Sequence, residues 1–261
     1  MDPHLVDLAE ELADAAGRVI RPYFRMPLTA HLKADESPVT RADREAEQAM
    51  RALIKQHHPG HGIMGEEFGL ENADSPWRWV LDPIDGTRAF ITGRPMFGTL
   101  VGLLHRGMPV IGVIDQPVTG ERWSGVRGEA TRFRGNFGGT VGTRVCAVLG
   151  DAELSATSPA MMGDALPRFE RLAGRVRRVT WGGDCYAYGL LALGQIDIVA
   201  ERDLKPWDWA ALVPVVEGAG GRLVDWAGRT LTLDSAGDAL AVGDAALLGA
   251  AMEALEESAS F

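Results

Sequence analysis

The sequence predicts a mixed chain with an N-terminal α+β half and a C-terminal α/β half. Three observations predict it. Near the N-terminus Leu5, Leu8, Leu12, Ala16, Val19, Ile20 and Phe24 recur at spacings of three and four, the mark of an amphipathic helix. Residues 96–104, 109–116 and 121–126 are apolar runs separated by turn signals, which read as an antiparallel meander. Beyond about residue 145 strand-like and helix-like stretches alternate, the pattern of an α/β unit. We read the 261 residues as one domain made of two halves, 1–144 and 145–261.

Taken in order, residues 4–25 form the first helix, which Pro27 ends. A polar, turn-like stretch, 33–43, leads to a second helix reaching about His57, with Thr40 as its N-cap and Asp43 in its first turn, where an acid suits the helix dipole. Pro59 to Gly62 break the chain, and a short strand from Ile63 runs into the acidic loop of Glu66 and Glu67. Adjacent glutamates are commonly a solvated surface. The meander turns at Arg106-Gly107 and Thr119-Gly120, and the glycine-rich residues 132–144 read as a loop. In the second half, strands are expected at 152–157, 176–181, 196–201, 222–225 and 239–242, and helices at 164–173, 184–193, 207–218 and 244–257.

The composition narrows the function. Hydrophobic residues make up 46% and charged residues 24%, as in a soluble globular protein with ample core material. A net charge of −10 with no long basic run argues against nucleic-acid binding. An acidic protein that handles an anionic substrate needs local positive charge, which metal ions supply. Cys146 and Cys185 make no disulfide framework and read as reduced, buried small hydrophobes. No secretory leader pattern and no stretch of about 18 apolar residues is present. The expectation is a cytoplasmic protein with no membrane partner.

Chemistry concentrates in Trp79-Val80-Leu81-Asp82-Pro83-Ile84-Asp85-Gly86-Thr87. An apolar run ends in one carboxylate, and a second follows three residues on. Such a pair resists burial unless a cation sits between the acids, although Pro, Asp and Gly also suit an ordinary turn. Other acids beside strands or at helix starts are Asp43, Glu66, Glu67, Asp184, Glu201 and Asp208. No His or Cys cluster has zinc spacing, so an oxygen-bound hard cation is the natural match. Glu66, Asp82, Asp85 and Asp208 suffice for two or more magnesium ions. A helix starting at Gly86-Thr87 would offer N–H groups to a phosphate. The residues therefore point to metal-assisted hydrolysis of a phosphate monoester.

Four separated motifs carry a resemblance. They are Lys33-x-Asp35-x-Ser37-Pro38-Val39-Thr40-x-x-Asp43, Gly65-Glu66-Glu67, Asp82-Pro83-Ile84-Asp85-Gly86-Thr87 and Trp207-Asp208-x-Ala210-Ala211. In order and spacing the chain resembles the inositol monophosphatase superfamily over nearly its whole length. The resemblance implies a layered α-β-α-β-α sandwich, a homodimer and two or three Mg²⁺ ions. It implies that Glu66, Asp82 and the Ile84 carbonyl bind one metal, and Asp82, Asp85 and Asp208 a second. Glu66 also touches a third ion through water, and Glu67 stands behind the ligands. Thr87 would hold the attacking water while Asp43, hydrogen-bonded to the Thr87 hydroxyl, draws its proton through that hydroxyl, with the Gly86 and Thr87 N–H groups on the phosphate. Lys33 falls near the phosphate in the family. Many members have asparagine two residues after the central motif's threonine; here Arg88-Ala89-Phe90 follows Thr87.

Asp184 and Glu201 flank the leaving alcohol in this family, with Asp85 and Asp208 also reaching the substrate. Inositol-specific members place a small neutral residue where Asp184 stands. An added carboxylate suits an ammonium. With Gly183-Asp184-x-x-x-Tyr188, Gly65-Glu66-Glu67-Phe68-Gly69 and Thr87-Arg88-Ala89-Phe90, the chain looks like the histidinol-phosphatase branch. The alternatives are an inositol-1-phosphate or broad sugar phosphatase and, in another class, a non-catalytic regulatory member. The ligand acids and Thr87 are all present, which speaks against the last. Asp184 also reads as a helix N-cap. Tyr186 and Tyr188 read as packing, Trp207 and Trp209 as core, and His57, His58, His61 and His105 carry no chemistry in this reading.

Overall fold

The computed structural model describes residues 1–26 and 38–256, and the features expected at Pro27, Lys33, Asp35 and Ser37 lie outside them. The chain opens with α1 (Pro3–Ile20), whose cap Asp2 accepts the His4 N–H at 3.0 Å. This helix stops short of residue 25 and passes into a 3₁₀ turn at Arg21–Tyr23. Pro22 causes the change, because it has no N–H to donate to the preceding turn. Helix α2 (Pro38–His57) starts ahead of Thr40, with a proline at the position where proline is best tolerated. Thr40 therefore lies inside the first turn and is not the N-cap, and Asp43 falls in the second turn.

Next come β1 (Gly62–Gly65), β2 (Gly69–Glu71), β3 (Trp77–Asp85), the short α3 (Thr87–Ile91), and then β4 (Gly98–His105), β5 (Met108–Gln116), β6 (Glu121–Val126) and β7 (Arg132–Arg134). They form one seven-stranded sheet in the order β2-β1-β3-β4-β5-β6-β7, antiparallel except where β1 meets β3. The expected meander is its right-hand part. Strand β7 was not expected from its glycine-rich surroundings. It is a short, charged edge strand, held by pairing with β6 and lacking any apolar alternation to announce it.

The second half contributes β8 (Glu153–Ala156), α4 (Leu166–Ala173), β9 (Arg178–Trp181), α5 (Asp184–Ala192), β10 (Ile198–Glu201), α6 (Pro206–Trp209), α7 (Leu212–Gly218), β11 (Arg222–Val224), β12 (Ala239–Val242) and α8 (Leu247–Leu255). Its five strands pair as β11-β12-β10-β8-β9, with β10, β8 and β9 parallel. The helix expected over 207–218 is split into α6 and α7. Ala210 and Ala211 keep helical dihedrals, but Pro214 cannot donate to the Ala210 carbonyl.

The layers run α-β-α-β-α. Helices α1 and α2 cover one face of the first sheet, joining Leu12, Ile20 and Met50 to Trp79, Leu81 and Val101. On its other face Val80, Leu100, Ile114 and Trp123 meet Tyr188 and Leu191 of α5, Val215 and Val216 of α7, and Val199 and Ala241 of the second sheet. Beyond that sheet Ile198, Ala200, Leu240 and Val242 pack on Phe169, Leu172, Leu247 and Ala251. Adjacent strand residues thus feed opposite layers, and both sheets are buried on both faces. No helix among the described residues is long and apolar enough to cross a membrane.

One contact sets the position of α6. Gly102, Gly112 and Gly125 lie side by side across β4, β5 and β6. A Cβ at Gly112 would fall on the Ala211 carbonyl, and one at Gly125 would strike the Pro214 backbone. This glycine row is a groove in which residues 210–214 lie directly on the sheet, which carries Asp208 toward the end of β3.

Two expected histidines have a structural role. The Trp79 indole donates to His61 Nδ1 at 3.1 Å, and His58 stacks on His61 with ring centroids 4.4 Å apart. Burial and the neighbouring His58 push the His61 pKa down to about 4. A histidine with a lowered pKa stays neutral when folded and charges more readily when unfolded. Its contribution is therefore whole above about pH 6.5 and is lost as pH falls toward 4. The wild-type melting temperature should drop more steeply between pH 7 and 5 than that of His61→Gln, which cannot be protonated. Parallel thermal-melt profiles would contradict this role.

Candidate active site

Strand β3 delivers both central acids by an irregularity. Side chains three apart on a regular strand point to opposite faces. Here Asp82 pairs with Leu100 and Asp85 with Gly98, so Pro83 and Ile84 together oppose only Thr99. This bulge restores Asp82 and Asp85 to one side. Pro83 suits the bulge because it has no N–H for the ladder, and its carbonyl is taken by the Thr99 hydroxyl at 2.8 Å. Gly86 then turns with φ 89°, a left-handed conformation that favours glycine, and a Cβ there would crowd the Met96 carbonyl and the Asp184 carboxyl.

Asp82, Asp85 and Asp208 offer carboxylate oxygens that all lie within 4.8 Å of one another. Two of them are fixed by backbone donors, one from a separate helix and one from the cap of the acid's own helix. Asp85 Oδ2 accepts the Cys185 N–H at the start of α5 at 2.6 Å, and Asp208 Oδ2 accepts the Lys205 N–H at 2.7 Å. Asp82 is buried, and its Oδ1 has no hydrogen-bond partner. A cavity of about 100 Å³ is lined by these acids with Glu66, Ile84, Gly86, Thr87, Thr157, Met161, Asp184, Glu201 and Leu204.

Among the described residues that line the cavity, none carries a positive charge. Burial first, then Asp85 and Glu66, pushes the Asp82 pKa well up; burial, then Asp184 and Asp208, does the same to Asp85. Asp208 rises to about 7, chiefly through burial. Glu66 is raised by burial and by Glu67, and Glu67 by burial and by Glu47. An all-oxygen donor set, an unpartnered buried oxygen and mutual repulsion together fit a divalent hard cation such as magnesium.

Asp43 and Glu67 stand behind this wall. Asp43 is buried, its Oδ1 has no partner, and burial followed by Glu66 raises its pKa to about 9. The Thr87 hydroxyl donates to the Ile84 carbonyl at 3.2 Å, so the expected Thr87–Asp43 hydrogen bond is not made in this structure. Asp184 is no N-cap: Gly183 holds that position, and Asp184 is the first helical residue with φ 42°. A non-glycine residue in that conformation is held there by its surroundings. Burial, then Glu201, raises Asp184 to about 7, and Arg88 partly offsets the rise.

Three residues escaped the sequence reading. Tyr188 is buried and packs as expected, but its hydroxyl also donates to Glu201 Oε2 at 3.1 Å. The Thr157 hydroxyl donates to Glu201 Oε1. Glu47 is fully buried in α2, where it accepts the Glu67 N–H at 2.8 Å, the Phe68 N–H at 3.3 Å and Arg51 Nε at 2.7 Å. It fixes the loop that presents Glu66. A Cβ at Gly65 would collide with this carboxylate, so the glycine beside Glu66 makes room for its support. Cys146 and Cys185 are free and buried, as expected.

The sandwich and its acid cluster define a magnesium-dependent phosphoric monoester hydrolase. The model of the inositol monophosphatase family matches residues 2–260, and the chain belongs to that family. It is 46% identical over 257 residues to the bifunctional phosphatase IMPL2 of Arabidopsis thaliana, covering 94% of this chain and 73% of that protein. It is 40% identical over 226 residues to the histidinol-phosphatase of Mycobacterium tuberculosis, covering 83% and 85%. The solved inositol monophosphatase of Zymomonas mobilis superposes with a TM-score of 0.90 at 49% identity over 98% of each chain.

Proposed function

We propose that the chain hydrolyses histidinol phosphate to histidinol and phosphate. The observation that carries this reading is the wall of the cavity formed by Asp184 and Glu201. Glu201 is buried and held in place by Thr157 and Tyr188, and Asp184 is partly buried beside it. An alcohol that brings an ammonium there relieves their repulsion and gains a charge-assisted hydrogen bond.

Glu66, Asp82, Asp85, Asp208 and the Ile84 carbonyl are the residues that would hold magnesium, as two ions with a third reached from Glu66 through water. Magnesium bound there would supply the positive charge that offsets the phosphate and activates water. The Gly86 and Thr87 N–H groups hold the phosphate oxygens. The Thr87 hydroxyl turns from the Ile84 carbonyl to the attacking water, and Asp43 takes up the proton released. The new bond from water to phosphorus forms in line as the bond to the alcohol oxygen breaks, and that oxygen takes a proton from solvent to leave as the alcohol. The same reading includes a homodimer in the cytoplasm; sedimentation equilibrium tests the first.

A second reading, an inositol-1-phosphate or broad sugar phosphatase, is favoured by whole-chain likeness to the Zymomonas mobilis inositol monophosphatase. It is also favoured by Arg88, whose charge already meets part of Asp184's. Comparing kcat/KM of the purified enzyme on histidinol phosphate and inositol 1-phosphate separates the two. Asp184→Ala should raise KM for histidinol phosphate by about 10-fold or more, equivalent to about 1.4 kcal/mol, and change that for inositol phosphate little. Equal effects on both esters would remove the ammonium contact.

A further inference from the structure

A second cavity, of about 220 Å³, adjoins the first and shares Thr157 and Asp184 with it. Arg88, Arg94 and Ser158 also line it. Both arginines are exposed, and among the described residues neither guanidinium makes a hydrogen bond or a close ion pair, although the Arg88 charge is felt by Asp184 across the cavity. Neighbouring cations are engaged: Lys205 holds Asp203 at 2.5 Å, and Arg202 holds Asp238 at 3.2 Å and also Asp164. Arg88 belongs to α3, and the Arg94 N–H closes the turn after it on the Ala89 carbonyl at 2.9 Å.

A phosphate ester carries about two negative charges near neutral pH. It must approach a wall of Glu66, Asp82, Asp85 and Asp208 on a chain of net charge −10. Exposed positive charge at the mouth of such a site raises the local concentration of an anion and its rate of arrival. We propose that Arg88 and Arg94 form a docking subsite for a phosphate dianion, which gathers the ester's phosphate on arrival and holds inorganic phosphate on departure. Asp184 on the shared wall repels the anion, so docking is on the arginine side and weak enough for passage. The inference rests on the phosphatase activity and not on which alcohol leaves.

Arg88→Gln/Arg94→Gln should lower kcat/KM about 10-fold at low ionic strength for histidinol phosphate and inositol 1-phosphate alike, with kcat within about two-fold. The gap should close near 1 M salt, where screening acts over about 3 Å. Inhibition by inorganic phosphate should weaken by a similar factor, which separates departure from arrival. The Lys/Lys double variant, which keeps both charges, should stay close to wild type. In chelator, wild-type protein should broaden the ³¹P resonance of inorganic phosphate and the Gln double variant should not. Equal salt slopes and equal line widths would overturn the subsite. So would a loss confined to one ester, which assigns the arginines to the alcohol. If the wild type cleaves neither ester, the substrate reading falls, while the line-width comparison still decides docking.

Discussion

Asp85→Asn should lower kcat by about 10³-fold or more at saturating magnesium while leaving the fold intact. Asparagine keeps the size of the side chain and can still accept the Cys185 N–H that fixes Asp85 at 2.6 Å. What it removes is one negative charge from the group whose oxygens lie within 4.8 Å. Without metal that charge is repulsive, so in chelator the variant should melt at or above the wild-type temperature. A cation that binds only the folded protein stabilises it by mass action, so magnesium should raise the wild-type melting temperature more than the variant's. Near-normal turnover, or equal shifts with magnesium, would sink the assignment of Asp85 as a ligand.

Glu47→Ala should destabilise the protein by about 3–5 kcal/mol, the range for breaking a buried ion pair from one side. Arg51 and Glu47 have side chains only 5% and 0% exposed, so solvent cannot take the place of the lost partner, and Arg51 is left with the exposed Glu71 and the Gly69 carbonyl. The Glu67 and Phe68 N–H groups lose their acceptor as well. Because that loop carries Glu66, the half-saturating magnesium concentration should rise in parallel. Glu47→Gln keeps an acceptor and should cost less than the alanine variant. Urea denaturation measures the first effect and a magnesium titration of activity the second. A loss below about 1 kcal/mol would show that Glu47 is not what holds the loop.

The chain order of helices and strands is written in local pattern. Leu5 to Ile20 repeat with helical spacing, and the runs of β4, β5 and β6 lie between turn residues; the structure moves their ends by a few positions. Where sequence reading failed, a proline or a partner decided. Pro22 shortens α1, Pro214 splits α6 from α7, and β7 exists only because β6 lies beside it. The acids of the site were legible because carboxylates beside apolar runs are costly unless used. Their supports were not: Tyr188 looks like any packing aromatic, and Glu47 like any helix acid, until the chain folds.

By itself, then, the sequence determined the chemical kind of the site and the order of elements, because burial cost and periodicity are local properties. Only the tertiary structure decided how the acids meet. A bulge at Pro83 and Ile84 turns Asp82 and Asp85 to one side, and the glycine row of β4 to β6 lets residues 210–214 settle on the sheet with Asp208 close by. Both depend on how closely one backbone can approach another, which composition and spacing along a chain do not express.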